Sequence, residues 1–194
     1  RLAGWNGTSW FQMPNGVNNG ANNTVYALSV FGADLAIGGI FTTVGNNQAA
    51  NRVVRYNSGS GVYTALGAGI DNNAVFALAV VGSNLYVGGS FTLVGGVTVN
   101  RMARWSGTNW NTVGAGTNGT IRCFYLNGSN LYLGGAFTNI GNAISSWTGT
   151  AFVTFGPGIT GGAATVNAIT IWSNVTIAGG SFSKFAVKLP NLVI

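Results

Sequence analysis

An all-β fold, a β-propeller of about four blades with four strands each, is what this sequence predicts, on three observations. The first is a recurrence. VYALSVFGADLAIGGIFT begins at Val25, VFALAVVGSNLYVGGSFT at Val75, IRCFYLNGSNLYLGGAFT at Ile121 and VNAITIWSNVTIAGGSFS at Val166. The glycine pairs within them start at Gly38, Gly88, Gly134 and Gly179, spaced by 50, 46 and 45 residues. The second is the chemistry of the breaks. GAD, GSN, SGTN, NSGSG and GAGTNG separate the apolar runs, and Gly and Asn supply the positive φ of tight turns. The third is the absence of any helical period. The apolar runs are strand-sized and evenly spaced along all 194 residues.

The elements follow in chain order. Residues 1–24 read as strands three and four of a split blade. RLAGWNGTSWFQM aligns with NRMARWSGTNWNTVGAG from Asn100, which places Trp5 and Trp10 on Trp105 and Trp110. Residues 25–74, 75–120 and 121–165 read as full blades. In the second, VFALAV, LYVGG, RMARW and NWNTVG are the four strands. NRVVRYNSGSGVYTALGAG from Asn51 is the matching half of the first, and SSWTGTAFVTFGPG that of the third. Residues 166–194 read as strands one and two of the split blade, with FAVKLP as a third. Strand one is apolar at nearly every position, which predicts cover on both faces. The pairs Gly38 and Gly39, Gly88 and Gly89, Gly134 and Gly135, and Gly179 and Gly180 remove side chains where backbones approach or the strand kinks. Phe41, Phe91, Phe137 and Phe182, one residue beyond each pair, fill the space between blades. Trp5, Trp10, Trp105 and Trp110 staple the outer strands. The two half-blades are complementary. They close a ring within one molecule, pair with a neighbouring copy, or belong to a longer chain; the start at Arg1 without Met suits a processed product or a segment.

The pattern LYVGGSFT…NRMARWSGTNWNTVGAG resembles secreted bacterial and giant-virus propeller repeats, and it is similar to Kelch repeats in its apolar run, glycine pair and spaced aromatics. The resemblance covers essentially the whole chain. It implies the propeller fold and an extracellular or surface location, and no particular reaction.

Composition limits the chemistry. Charged residues are 5% of the chain, with eight Lys and Arg, two Asp, no Glu and no His; ordinary domains carry about a quarter. The usual general acids and bases are nearly absent, so an enzyme is not expected, and neither a catalytic residue, a cofactor nor a metal site is assigned. The net charge of +6 reflects missing acids, and the thinly spread cations do not form the dense patch of a nucleic-acid binder. No apolar run reaches the ~18 residues of a membrane helix. Asp34 and Asp71 read as turn residues bonded to their own backbone. Arg52 and Arg101, equivalent in the alignment, read as structural forks for loop carbonyls or aromatic faces, as do Arg55 and Arg104. Arg122 interrupts a first strand and projects toward the central channel. Cys123 replaces Ala27 and Ala77 of sister segments and reads as a small buried thiol. Asn6, Asn22, Asn118, Asn127 and Asn174 head Asn-x-Ser/Thr acceptor sites for N-glycans.

These features suit a structural subunit of an extracellular, cell or virion surface that self-associates head to tail, by strand addition between its half-blades, into oligomers or filaments. The alternatives are a lectin-like propeller whose Asn-rich loops meet neutral glycans, and a non-catalytic module of a larger secreted protein.

Overall fold

The computed structural model describes residues 2–13 and 20–185. It is all-β, with no helix among the described residues. β1 (Ala3–Trp5) and β2 (Trp10–Gln12) form an antiparallel hairpin with Trp5 opposite Trp10. The first unit has β3 (Val25–Phe31) and β4 (Asp34–Gly39), a small hairpin of β5 (Thr43–Val44) and β6 (Gln48–Ala49), then β7 (Val53–Asn57) and β8 (Val62–Ala65). The second repeats this with β9 (Val75–Val81) and β10 (Asn84–Gly89), the hairpin of β11 (Leu93–Val94) and β12 (Val97–Thr98), then β13 (Met102–Trp105) and β14 (Trp110–Thr112). The third has β15 (Ile121–Asn127), β16 (Asn130–Gly135), β17 (Ile144–Trp147) and β18 (Phe152–Thr154). The sheet orders β3-β4-β7-β8, β9-β10-β13-β14 and β15-β16-β17-β18 are antiparallel meanders. The last segments are β19 (Ile159–Thr160), β20 (Thr165–Trp172), β21 (Val175–Ser181) and β22 (Lys184–Phe185); β20 pairs with β21, and β19 with β22.

One register runs through all units. Leu35 faces Tyr56, Leu85 faces Trp105 and Leu131 faces Trp147 across the second and third strands. Each first strand bulges by one residue at the glycine pair. Val25 opposes Gly39 while Ala27 opposes Gly38, which leaves Tyr26 unpaired in the ladder. The bulge turns a backbone carbonyl onto the second glycine, so a Cβ at Gly39, Gly89, Gly135 or Gly180 would collide with the oxygen of Thr24, Ala74, Thr120 or Thr165. The bulged residues Tyr26, Phe76 and Arg122 come together: the two rings lie 5.0 Å apart and the Arg122 guanidinium lies 4.9 Å over Phe76. Arg122 thus stacks on a ring contributed by the preceding unit.

The core lies between units. Val53 and Leu66 of the first unit pack with Leu85, Val87, Phe91 and Trp105 of the second. Tyr86, Met102 and Val113 of the second pack with Ile121, Leu133, Phe137 and Trp147 of the third. Phe41, Phe91 and Phe137 are almost fully buried.

One expectation needs correction, and a second falls mostly outside the described residues. Cover on both faces fails for β3, where Tyr26, Leu28 and Val30 are exposed, Val30 at 72%. Their counterparts in β9, Leu78 and Val80, pack against the core shared with the first unit. Among the described residues only the two-stranded β1–β2 hairpin precedes β3, so an apolar strand sequence is not matched by cover. The second concerns FAVKLP. Its Phe185 sits in β22 opposite Ile159, where Val94 bridges Ile70 in the second unit. Phe185 therefore takes the short hairpin position; residues 186–190 of FAVKLP, and with them the expected third strand, lie outside the described residues.

Candidate functional site: two half-built sheets

The joints between complete units have a constant construction. Trp105 and Trp110 form a tilted pair with centroids 5.2 Å apart and cover Gly67 of the preceding unit, whose Cβ would lie 3.2 Å from the Trp105 ring. The Trp110 indole Nε1 donates to the Leu66 carbonyl of that unit at 2.8 Å. Trp147 and Phe152 cover Gly114 in the same manner, at 3.2 and 3.1 Å. On the inner side, the first glycine of each pair receives the next unit's first strand. A Cβ on Gly38 would lie 2.5 Å from Val75 and 3.3 Å from Leu78; on Gly88, 2.7 Å from Ile121 and Phe124. Gly134 meets Val166 and Ile169.

Near the two ends of the described residues, parts of the same construction recur. At one, Leu2 and Met13 flank the β1–β2 hairpin and pack against the core of the first unit, in the positions that Val53 and Leu66 take toward the second. Trp5 and Trp10 pair at 5.6 Å but remain 53% and 71% exposed. β1 pairs with β2 alone among the described residues. At the other end, β21 has no partner beyond β20 among the described residues. Val175 and Ile177 are exposed on the face shared with Gly179, and a Cβ on Gly179 would meet nothing within 4 Å. Gly156, the counterpart of Gly67 and Gly114, is equally bare. Beside it runs an open groove of about 700 Å³, lined by Ile144, Phe155, Ile159, Ala178 and Phe182. Phe182 is only partly buried, unlike its three sisters.

The loops are self-contained. Arg52 and Arg101 have left-handed backbones, φ 63° and 61°. Arg52 Nη1 donates to the carbonyls of Ile70 and Asp71 at 2.9 and 3.2 Å, and Arg101 Nη1 to that of Thr117 at 3.1 Å. Asn51, Asn100 and Asn142 each donate to a carbonyl in the following Gly-rich loop. Asn22, Asn72 and Asn118 bond Thr42, Thr92 and Thr138. These amides are therefore engaged within the protein. All five acceptor asparagines, Asn6, Asn22, Asn118, Asn127 and Asn174, are exposed, though Asn6 accepts from the N–H groups of Thr8 and Ser9.

The two acids do not cap their own turns as expected. Asp34 is ion-paired with Arg55 at 2.6 Å and accepts from Asn57, so it bridges to the third strand. Asp71 accepts from the Gly96 N–H at 2.9 Å, in the next unit's small hairpin. The second unit has Asn84 at the place of Asp34, and there the Arg104 Nε is buried without a hydrogen-bond partner.

Cys123 is half-buried, and burial pushes its thiol pKa up to about 11. Burial, then the neighbouring Tyr56, pushes the Tyr63 phenol up to about 12. Both groups are held neutral in the folded chain and ionise more readily when unfolded. Their contribution is complete below the unfolded values and is lost as pH rises through the folded ones. With two Asp, no Glu and no His, little opposes this at acid pH. The melting temperature should stay level between about pH 5 and 8 and fall above about 9. Cys123→Ala, which installs the residue of Ala27 and Ala77, should soften the first part of that fall. A melting profile symmetrical about neutrality would count against this assignment.

The exposed faces of β3 and β21 are invisible to a strand-by-strand reading, which sees apolar runs and not their neighbours. Gly156 does carry a signal, through the alignment of FGPG with LGAG. No family model matches the chain, and no curated protein is significantly similar to it.

Proposed function

We propose that this chain is a non-enzymatic, propeller-type repeat protein of an extracellular, cell or virion surface, and that it works by associating with copies of itself. One observation carries the reading: a single chain bears both complementary halves of its own inter-unit joint. The exposed Trp5–Trp10 pair and the open β21 edge beside an apolar groove each present what the other end lacks. An unpaired sheet edge invites strand addition, and a contact between unlike surfaces propagates head to tail. The charge content of 5% supports the same role, because an apolar and amide-rich contact is little screened by salt. The two carboxylates support a non-enzymatic reading, since they are engaged with Arg55 and Asn57 and with the Gly96 N–H.

Sedimentation velocity over a hundredfold concentration range tests this. Species larger than one chain should grow with concentration and persist in molar sodium chloride. A single monomeric species at the highest concentration would overturn the reading.

A further inference from the structure

The inner joints specify how two copies would fit. Building on the self-association reading, we infer that the β1–β2 hairpin of a second copy completes the β20–β21 sheet of the first, in the same register as the complete units. Leu85 opposes Trp105, Val87 opposes Ala103 and Gly88 opposes Met102. Gly179 aligns with Gly88 and Trp5 with Trp105. The register across the joint is therefore Thr176 opposite Trp5, Ala178 opposite Ala3 and Gly179 opposite Leu2.

Three separate surfaces are satisfied by this one placement. First, the free edge of β21 gains the strand β1, whose outer edge is also unpaired among the described residues. Second, Ala3 and Trp5 enter the groove beside Ile144, Phe155 and Phe182. Ala103 and Trp105 fill the corresponding space in the core between the first and second units. Trp10 then lies over Gly156, with its indole N–H toward the Phe155 carbonyl, as Trp110 lies toward Leu66. Third, Gly179 and Ile177 meet Val25 and Leu28 of the second copy, as Gly38 meets Val75 and Leu78. The hairpin already rests on its own first unit through Leu2 and Met13, so the entering β20–β21 pair slots between that hairpin and the exposed face of β3. A second copy is the occupant inferred here because, among the described residues, the chain's two ends do not cover each other, with Leu28, Val30, Val175 and Ile177 all exposed, and each end presents the surface that fits the other. The joint uses different surfaces on the two copies and leaves one of each free, so it adds copies serially.

Gly179→Leu tests the joint from one side. Nothing lies within 4 Å of its Cβ position and its φ is not left-handed, so the isolated chain should fold and melt as before. In the joint, the introduced isobutyl group would strike Val25 and Leu28 of the next copy, weakening association roughly tenfold to a hundredfold. The second test places cysteines in the predicted register, Ala3→Cys with Ala178→Cys in a Cys123→Ala background. Mild oxidation should give a ladder of covalent dimers and larger species, and replacing Ala178→Cys by Ile177→Cys should lower the yield. If the wild type associates yet Gly179→Leu does not weaken it and the cysteine pair does not cross-link, this joint is wrong and self-association stands. A disulfide found only within single chains replaces the second copy with ring closure and overturns the inference. A wild type that never associates removes both readings.

Discussion

Phe91→Ala is expected to cost about 3–5 kcal/mol of folding stability, the range for emptying a fully enclosed phenylalanine site. Phe91 has no exposed surface and sits where Val53, Leu66 and Ile70 of one unit meet Leu85, Val87 and Trp105 of the next. Truncation leaves a void bounded by two sheets, each fixed by its own hydrogen-bonded ladder, so neither collapses into it freely. Urea unfolding followed by tryptophan fluorescence should show a clear drop in midpoint. The same change at Phe182, which is only partly buried, should cost less than half as much. Equal losses at the two positions would mean that Phe91 is not the joint's central plug.

Gly89→Ala should follow closely, at about 3 kcal/mol, by overfilling instead of emptying. The Cβ would point into the Ala74 carbonyl oxygen, and that oxygen already accepts the Ser90 N–H at 3.0 Å. A hydrogen-bonded backbone atom cannot rotate aside as a side chain does. The expected fall in melting temperature is about 6–12 °C for a chain of this size. Gly179→Ala is the control in the dilute, unassociated chain, because there its Cβ direction is open; under those conditions it should melt within about 1 °C of the wild type. A benign Gly89→Ala would show that the bulge relaxes and that the second glycine is not fixed by sterics.

Much of this is legible without coordinates. The four strands of each unit, their order along the chain and the aromatic pairs can be read because strand, turn and spacing each leave a local mark. Trp105 and Trp110 announce their positions by recurring, and so do Phe41, Phe91 and Phe137. The partners of Asp34 and Asp71 are not legible, since a carboxylate in a turn looks alike whether it bonds its own backbone or a neighbouring strand. The position of Phe185 escapes the sequence because a short third unit and a long first one leave the following strand's start undetermined by spacing. The exposed faces at Val30 and Ile177 lie furthest from reach. Side-chain type says which surface prefers burial, whereas only topology says whether something is there to bury it.

The joint around Trp110 has an energetic consequence. Among the described residues the main contacts between sheets join immediate neighbours, so the free energy of the folded chain approximates a sum over adjacent pairs, as in a linear lattice. An interior sheet draws on two such terms and a terminal one on a single term. The indole bridge to Leu66 is one bond of such a term, formed alike whether the carbonyl belongs to the same polypeptide or to another. Under the proposed association, folding and polymerisation would be the same reaction, with a peptide linkage present at some boundaries and missing at others.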